Sequence, residues 1–217
     1  MKLHGAALSP FVRKVRVVLE EKGIPYEFDA TVPLPDDLLA LHPQRKMPIL
    51  RDGAVVVPDS SVICAYLEKT RPRPAIYPDD PAEFARALYL EEYADAHMRE
   101  GMGPIVFERF VKPSLLKQPT DEVRLQELIG VATERWFGSP RSAGGRPMPS
   151  VMDFLESQLP ADRDTVLPRF TIADAAIGAH LGWLAPAGFE IDATRWPRTA
   201  RYYRALLDRP SFKSLDR

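Results

Sequence analysis

The sequence is short of the features that most quickly place a protein in a class. One cysteine, Cys64, occurs in 217 residues, so no disulfide joins two parts of the chain, and a reducing compartment follows. A lone thiol also removes dithiol redox chemistry, which needs a C-x-x-C pair. No stretch approaches the ~18 apolar residues of a membrane span. The opening MKLHGAALSPF is too short and too soon interrupted for a signal peptide. Together these make the cytoplasm the expected location. Neither sign of charge dominates: 29 Lys and Arg face 30 Asp and Glu, a formal net charge of -1. That balance removes the usual electrostatic case for nucleic acid or an anionic membrane as partner. The histidines, His4, His42, His97 and His180, are scattered without metal-ligand spacing, and no glycine-rich phosphate loop is present. No metal is expected.

What is abundant is proline, 22 residues, roughly double the usual share. The prolines stand at element boundaries, which reads as a folded chain with many sharp turns. Lys2 to Gly5 is a short candidate strand. In LSPFVRKVRVVLEEKG (8–23), Phe11, Val15, Val18 and Leu19 share one helical face, and Arg13, Lys14, Arg16 and Glu20 take the other positions. Ser9 sits at the N-cap, Pro10 at the first helical position and Gly23 just past the end. Ile24 to Phe28 alternates as a second strand. Leu38 to Leu41 is a helical turn ending near His42-Pro43. Asp52-Gly53 between two apolar runs marks a hairpin, and Ser61 to Lys69 carries a third helix. The order is β-α-β-α-β-β-α.

Thr70 to Pro81 reads as a stiff, proline-rich linker, and everything after it reads as helical. Asp80-Pro81-Ala82-Glu83 opens a long helix with a capping box. Gly101, Gly103 and Pro104 interrupt it. Helices follow over Asp121 to Trp136, Val151 to Leu159, Thr171 to about Leu184 and Thr199 to Leu207. Residues 137–149 form a loop or a disordered crossover.

Three local features have both a structural and a chemical reading. A proline opening a strand, as in Met47-Pro48, is compatible with a cis bond. That bond leaves the Met47 backbone free to pair with an extended peptide; the plain reading is a strand-start proline. Asp59-Ser60 at a helix N-terminus suits a carboxylate on the helix donors and an ammonium group on Asp59, or is simply a cap. The hydroxyl of Ser9 either caps its helix or donates to a bound thiolate, whose charge the helix N-terminus would favour. Cys64 reads as a small core residue.

The order and spacing of SPFVRKVRVVLEEKGIPYE (9–27), KMPILRDG (46–53), DSSVICAYLE (59–68), FTIADAAIGAHL (170–181) and RPSF (209–212) resemble the glutathione transferase family. The motifs cover the first domain densely and the second sparsely. The resemblance implies a thioredoxin-like α/β domain with a mixed four-stranded sheet over 1–76. A linker and helix start would cover 77–84, and an all-α helical bundle 85–217 would supply the apolar substrate wall. It implies glutathione as co-substrate and a twofold homodimer. Ser9 would hydrogen-bond the glutathione sulfur, with Phe11 beside it. Met47, before cis Pro48, would pair with the cysteinyl part. Asp59 and Ser60 would hold the γ-glutamyl end, with Asp where Glu is more usual, and Lys46 would reach the glycyl carboxylate. Met98, Met102 and Phe107 are the candidates for the apolar wall. Thr171 and Asp174 match the family's capping box, a folding element. Leu167-Pro168-Arg169 departs from the family, which often has a glycine there. The expected reaction is attack of the thiolate on an electrophilic carbon. Glutathione-dependent isomerisation, dehalogenation or peroxide reduction, and a non-catalytic binding protein, remain as alternatives.

Overall fold

A computed structural model of the chain describes residues 1–42 and 44–216. Strand β1 (Lys2–His4) pairs in parallel with β2 (Glu27–Asp29) and antiparallel with β3 (Ile49–Asp52), which pairs antiparallel with β4 (Val55–Pro58). The spatial order is β2-β1-β3-β4. This is the mixed four-stranded sheet of the thioredoxin-like expectation. The two-residue period of the strands divides the core. Leu3, Leu50 and Val57 bury against α1 (Pro10–Glu21) and α3 (Ser60–Thr70), while Ile49 packs with Leu34 and with Leu38 of α2 (Asp36–Leu39). Pro43, near which the sequence ends its helical turn, lies outside the described residues.

Two local readings change in the structure. The second strand begins at Glu27 rather than Ile24. Gly23, at φ 61°, lets the chain fold back so that the Ile24 amide bonds the Leu19 carbonyl at 2.9 Å, closing the helix. The supposed outer face of α1 is also largely inside, with Lys14 and Arg16 both buried. Arg16 is satisfied by the carbonyls of Ser214 (2.8 Å) and Leu215 (3.2 Å) and lies over the Phe28 ring. A helix clasped between a sheet and a second domain has little solvent face left.

The rest of the chain is helical. Asp80 caps α4 (Pro81–Tyr93) by accepting from the Ala82 and Glu83 amides. A π-helical turn (Ala94–Met98) follows, then α5 (Arg99–Val106), a second π turn (Phe107–Val111) and α6 (Lys112–Leu115). The interruption read from Gly101, Gly103 and Pro104 is a single kink at Glu100 and Gly101. Gly101 has φ 89°, and a Cβ there would stand 3.3 Å from Ala132 Cα of α7 (Glu122–Phe137), so a side chain would be both strained and crowded. Phe137 ends α7, and the residues from 138 to 149 form a loop. The Ser142 amide bonds the Arg146 carbonyl and the Met148 amide the Pro140 carbonyl, each at 2.8 Å.

Helices α8 (Val151–Gln158), α9 (Ile172–Leu181), α10 (Leu184–Ala187), α11 (Pro197–Asp208) and α12 (Pro210–Lys213) complete the bundle. Every residue of α9 is buried, and its capping box forms as the sequence implies. Burial raises the Asp174 carboxyl to about 6, yet its oxygens accept from the Thr171 amide (2.9 Å), the Val166 amide (3.0 Å) and the Tyr202 hydroxyl (3.1 Å). Arg169, in the Leu167-Pro168-Arg169 stretch before the capping box, donates to the carbonyls of Ala75 (2.7 Å) and Tyr77 (3.1 Å), tying this corner to the linker. Among the described residues no helix is long and apolar enough to cross a membrane.

Candidate active site

Two clefts meet at the start of α1. One is polar, about 650 Å³, and its walls include Gln44, Lys46, Asp59, Ser60 and Asp95. The other is apolar, about 690 Å³, walled by Val32, Pro104, Val106, Phe107, Phe110 and Trp183 among others. Among the described residues, four belong to both: Ser9, Phe11, Met47 and Arg99.

The segment that presents Ser9 is held from several sides. The Ala6 amide donates to Met47 Sδ (3.0 Å), the Ser9 amide to the Ala6 carbonyl (3.0 Å), and Trp183 Nε1 to the Leu8 carbonyl (2.7 Å). Ser9 is the N-cap of α1 by position, with φ -68° and ψ 124°, but its side chain makes no capping bond. Its hydroxyl has no partner among the described residues, and Ser9 lines both clefts. The first-turn amides of Phe11 and Val12 have no intrahelical carbonyl to bond. Hydroxyl, amide donors and helix dipole therefore favour negative charge at one place.

At the far side of the polar cleft stands the N-terminus of α3. Asp59 caps it, accepting from the Ser61 (2.9 Å) and Val62 (3.1 Å) amides. Its φ of 73° is uncommon for a residue with a Cβ and marks local strain. Ser60 is buried at the cleft wall. Behind it the Lys14 ammonium donates to Ser61 Oγ (3.0 Å), Glu91 Oε1 (2.9 Å) and Asp95 Oδ2. Burial alone would lower the Lys14 pKa, but Asp95 and Glu91 outweigh it and hold the ammonium above the ordinary lysine range. One cation here faces two carboxylates, and the second oxygen of Asp95 is buried without a partner among the described residues. Asp95 and Asp59 share the wall of this cleft with Arg45, Lys46 and Arg99.

This arrangement can hold a zwitterionic amino-acid end at α3 and an anionic atom at Ser9, beside an apolar chamber. Comparisons with known proteins bear on the family. Residues 3–75 match "Glutathione S-transferase, N-terminal domain" and residues 141–205 match "Glutathione S-transferase, C-terminal domain". The chain belongs to the glutathione S-transferase family. The uncharacterized GST-like protein YibF of Escherichia coli K12 is 34% identical over 133 residues, 59% of this chain and 64% of that protein. Glutathione S-transferase U4 of Arabidopsis thaliana is 33% identical over 115 residues, 52% of this chain and 50% of that protein. These alignments thus span between half and two thirds of the curated relatives. The crystal structure of a glutathione S-transferase from Rhodospirillum rubrum superposes with a TM-score of 0.79 at 25% identity, covering 99% of this chain and 90% of that one.

Of the residues that the family resemblance singled out, Ser9, Phe11, Lys46, Met47, Asp59 and Ser60 line the polar cleft. Met47-Pro48 is cis, and Pro48 itself is buried beneath the cleft lining. Phe107 is on the apolar wall, but Met98 and Met102 are fully buried in the helical core and line neither cleft. The kink at Glu100 and Gly101 accounts for the difference: it turns Arg99 and Glu100, not the methionines, toward the cavity. Sequence reasoning missed Lys14, Asp95 and Arg99. Lys14 reads as a solvent-facing position on an amphipathic helix, and nothing local marks Asp95 as its partner.

Lys14→Met leaves Glu91 and Asp95 without their cation. Loss of one member of a buried ion network costs about 3–5 kcal/mol, so chemical denaturation should show a loss of that order. Adding Glu91→Gln should recover part of it. A single variant as stable as the parent would refute the account of this network.

Proposed function

We propose that this chain binds glutathione across the polar cleft and transfers its thiolate to electrophiles held in the apolar one. In this reading the γ-glutamyl carboxylate lies on the Ser60 hydroxyl and the α3 N-terminus, and the ammonium group faces Asp59. The cysteinyl part runs along the Met47 backbone, and Lys46 reaches the glycyl carboxylate. The observation that carries the reading is the Ser9 hydroxyl, which is left without a capping bond where the two clefts join.

The chemistry follows from that position. A free thiol has a pKa near 8.5 and is mostly protonated at neutral pH. A hydroxyl donor and two helix amides stabilise the sulfur anion and raise its fraction. The thiolate attacks an electrophilic carbon in the apolar cleft, the C–S bond forms, and the leaving group departs with its electron pair. The division of labour follows the expected boundaries, 1–76 for glutathione and 85–217 for the second substrate. A homodimer belongs to the same reading. Its support is the apolar surface of α4, where Phe84, Leu88 and Tyr89 are exposed, and of α3, where Val62 is. Sedimentation at micromolar concentration should give twice the chain mass; a monomer would remove this part.

Ser9→Ala should lower kcat/KM for an aryl halide about 10- to 100-fold, the worth of one hydrogen bond to a charged atom at about 1.5–3 kcal/mol. Glutathione affinity, measured by calorimetry, should change little. Full activity in the variant would sink the assignment of Ser9.

A further inference from the structure

Among the described residues, Arg99 is the one common to both clefts that carries a charge. No described carboxylate lies within ion-pair reach of its guanidinium. The other charged residue of the apolar wall, Glu100, is neutralised by Arg135, and in the polar cleft Asp95 is engaged by Lys14 and Asp59 by the α3 amides. The apolar chamber therefore ends, beside Ser9, in an uncompensated positive charge.

The placement of that charge is built into the backbone. Arg99 directly precedes the kink, whose Glu100 carbonyl accepts from Trp136 Nε1 at 3.2 Å. Gly101 packs against Ala132 and Trp136 on the far side, and the Arg99 stem runs past Gly103. The turn thus holds the arginine at the cleft mouth. An arginine fork in a mainly apolar wall recognises a planar anion, above all a carboxylate, through paired N–H donors.

Resting on the transferase reading, we infer that the second substrate is an electrophile with a carboxylate at one end of an apolar body, and that Arg99 selects it. The carboxylate sits on Arg99 and the apolar body lies against Phe107, Phe110 and Trp183. The electrophilic carbon then faces the sulfur at Ser9. The carboxylate takes no part in bond exchange. With a chloroarene, the C–S bond forms, the C–Cl bond breaks, and chloride leaves with the electron pair.

The test compares 4-chloro-3-nitrobenzoate with 4-chloro-3-nitrobenzamide, each rate divided by its uncatalysed rate with glutathione. The parent should prefer the benzoate, and Arg99→Gln should lower the benzoate-to-benzamide ratio of kcat/KM by about tenfold or more, with Arg99→Lys between. A ratio unmoved by Arg99→Gln, whether or not both rates fall together, overturns the inference and leaves Arg99 serving glutathione or the fold. A second arm does not depend on turnover: calorimetry of the unreactive 4-methyl-3-nitrobenzoate with the parent and with Arg99→Gln. If neither chloroarene is conjugated, the transferase reading fails. Arg99-dependent binding of the nitrobenzoate would still support the anion site, and equal binding would overturn it.

Discussion

The buried Lys14 ammonium is the interaction on which the geometry of the site depends. It stands on α1, donates to Ser61 on α3, and pairs with Glu91 on α4 and Asp95 on the π turn that follows. One charge thus fixes the start of α3 relative to α1 and joins the α/β part to the helical part. Taking that ammonium out of water is costly, and only close carboxylates with good hydrogen bonds offset the cost. Two carboxylates do so here, and the second keeps one buried oxygen without a partner among the described residues. The same network therefore shapes the cleft.

A second set of contacts places Ser9. Trp183 from the helical part bonds the Leu8 carbonyl, and Met47 from the loop before β3 accepts from Ala6. These fix the backbone and leave the hydroxyl uncommitted. Phe11 extends the contact between the two parts, meeting the buried His180 ring edge-on at a centroid distance of 5.4 Å. Burial holds that imidazole neutral, with a pKa lowered to about 3. Its Nδ1 donates to the Ala176 carbonyl, so it packs as an aromatic core group.

Much of this was legible in the sequence. Pro10 and Gly23 bound the first helix, Asp52-Gly53 makes the hairpin, and Thr171 with Asp174 forms the capping box, because each depends on neighbours within a few residues. The cleft residues Ser9, Met47, Asp59 and Ser60 were legible for the same reason, as they stand at element starts whose order fixes where they meet. What could not be read depends on packing between distant segments. Lys14 and Arg16 look like a solvent face until a second domain covers α1. Met98 and Met102 look like wall residues until the kink at Gly101 turns Arg99 outward. That a serine at an N-cap position withholds its capping bond is likewise a tertiary fact.

The central claim is that Ser9 and the start of α1 stabilise a sulfur anion bound between the two clefts. The most direct measurement is a spectrophotometric pH titration of the thiolate of glutathione bound to the protein, with the Ser9→Ala variant alongside. The account predicts a bound thiol pKa at least about one unit below the free value near 8.5, returning toward that value in the variant. A bound thiol that titrates like the free one, or a depression that survives the substitution in full, would contradict it.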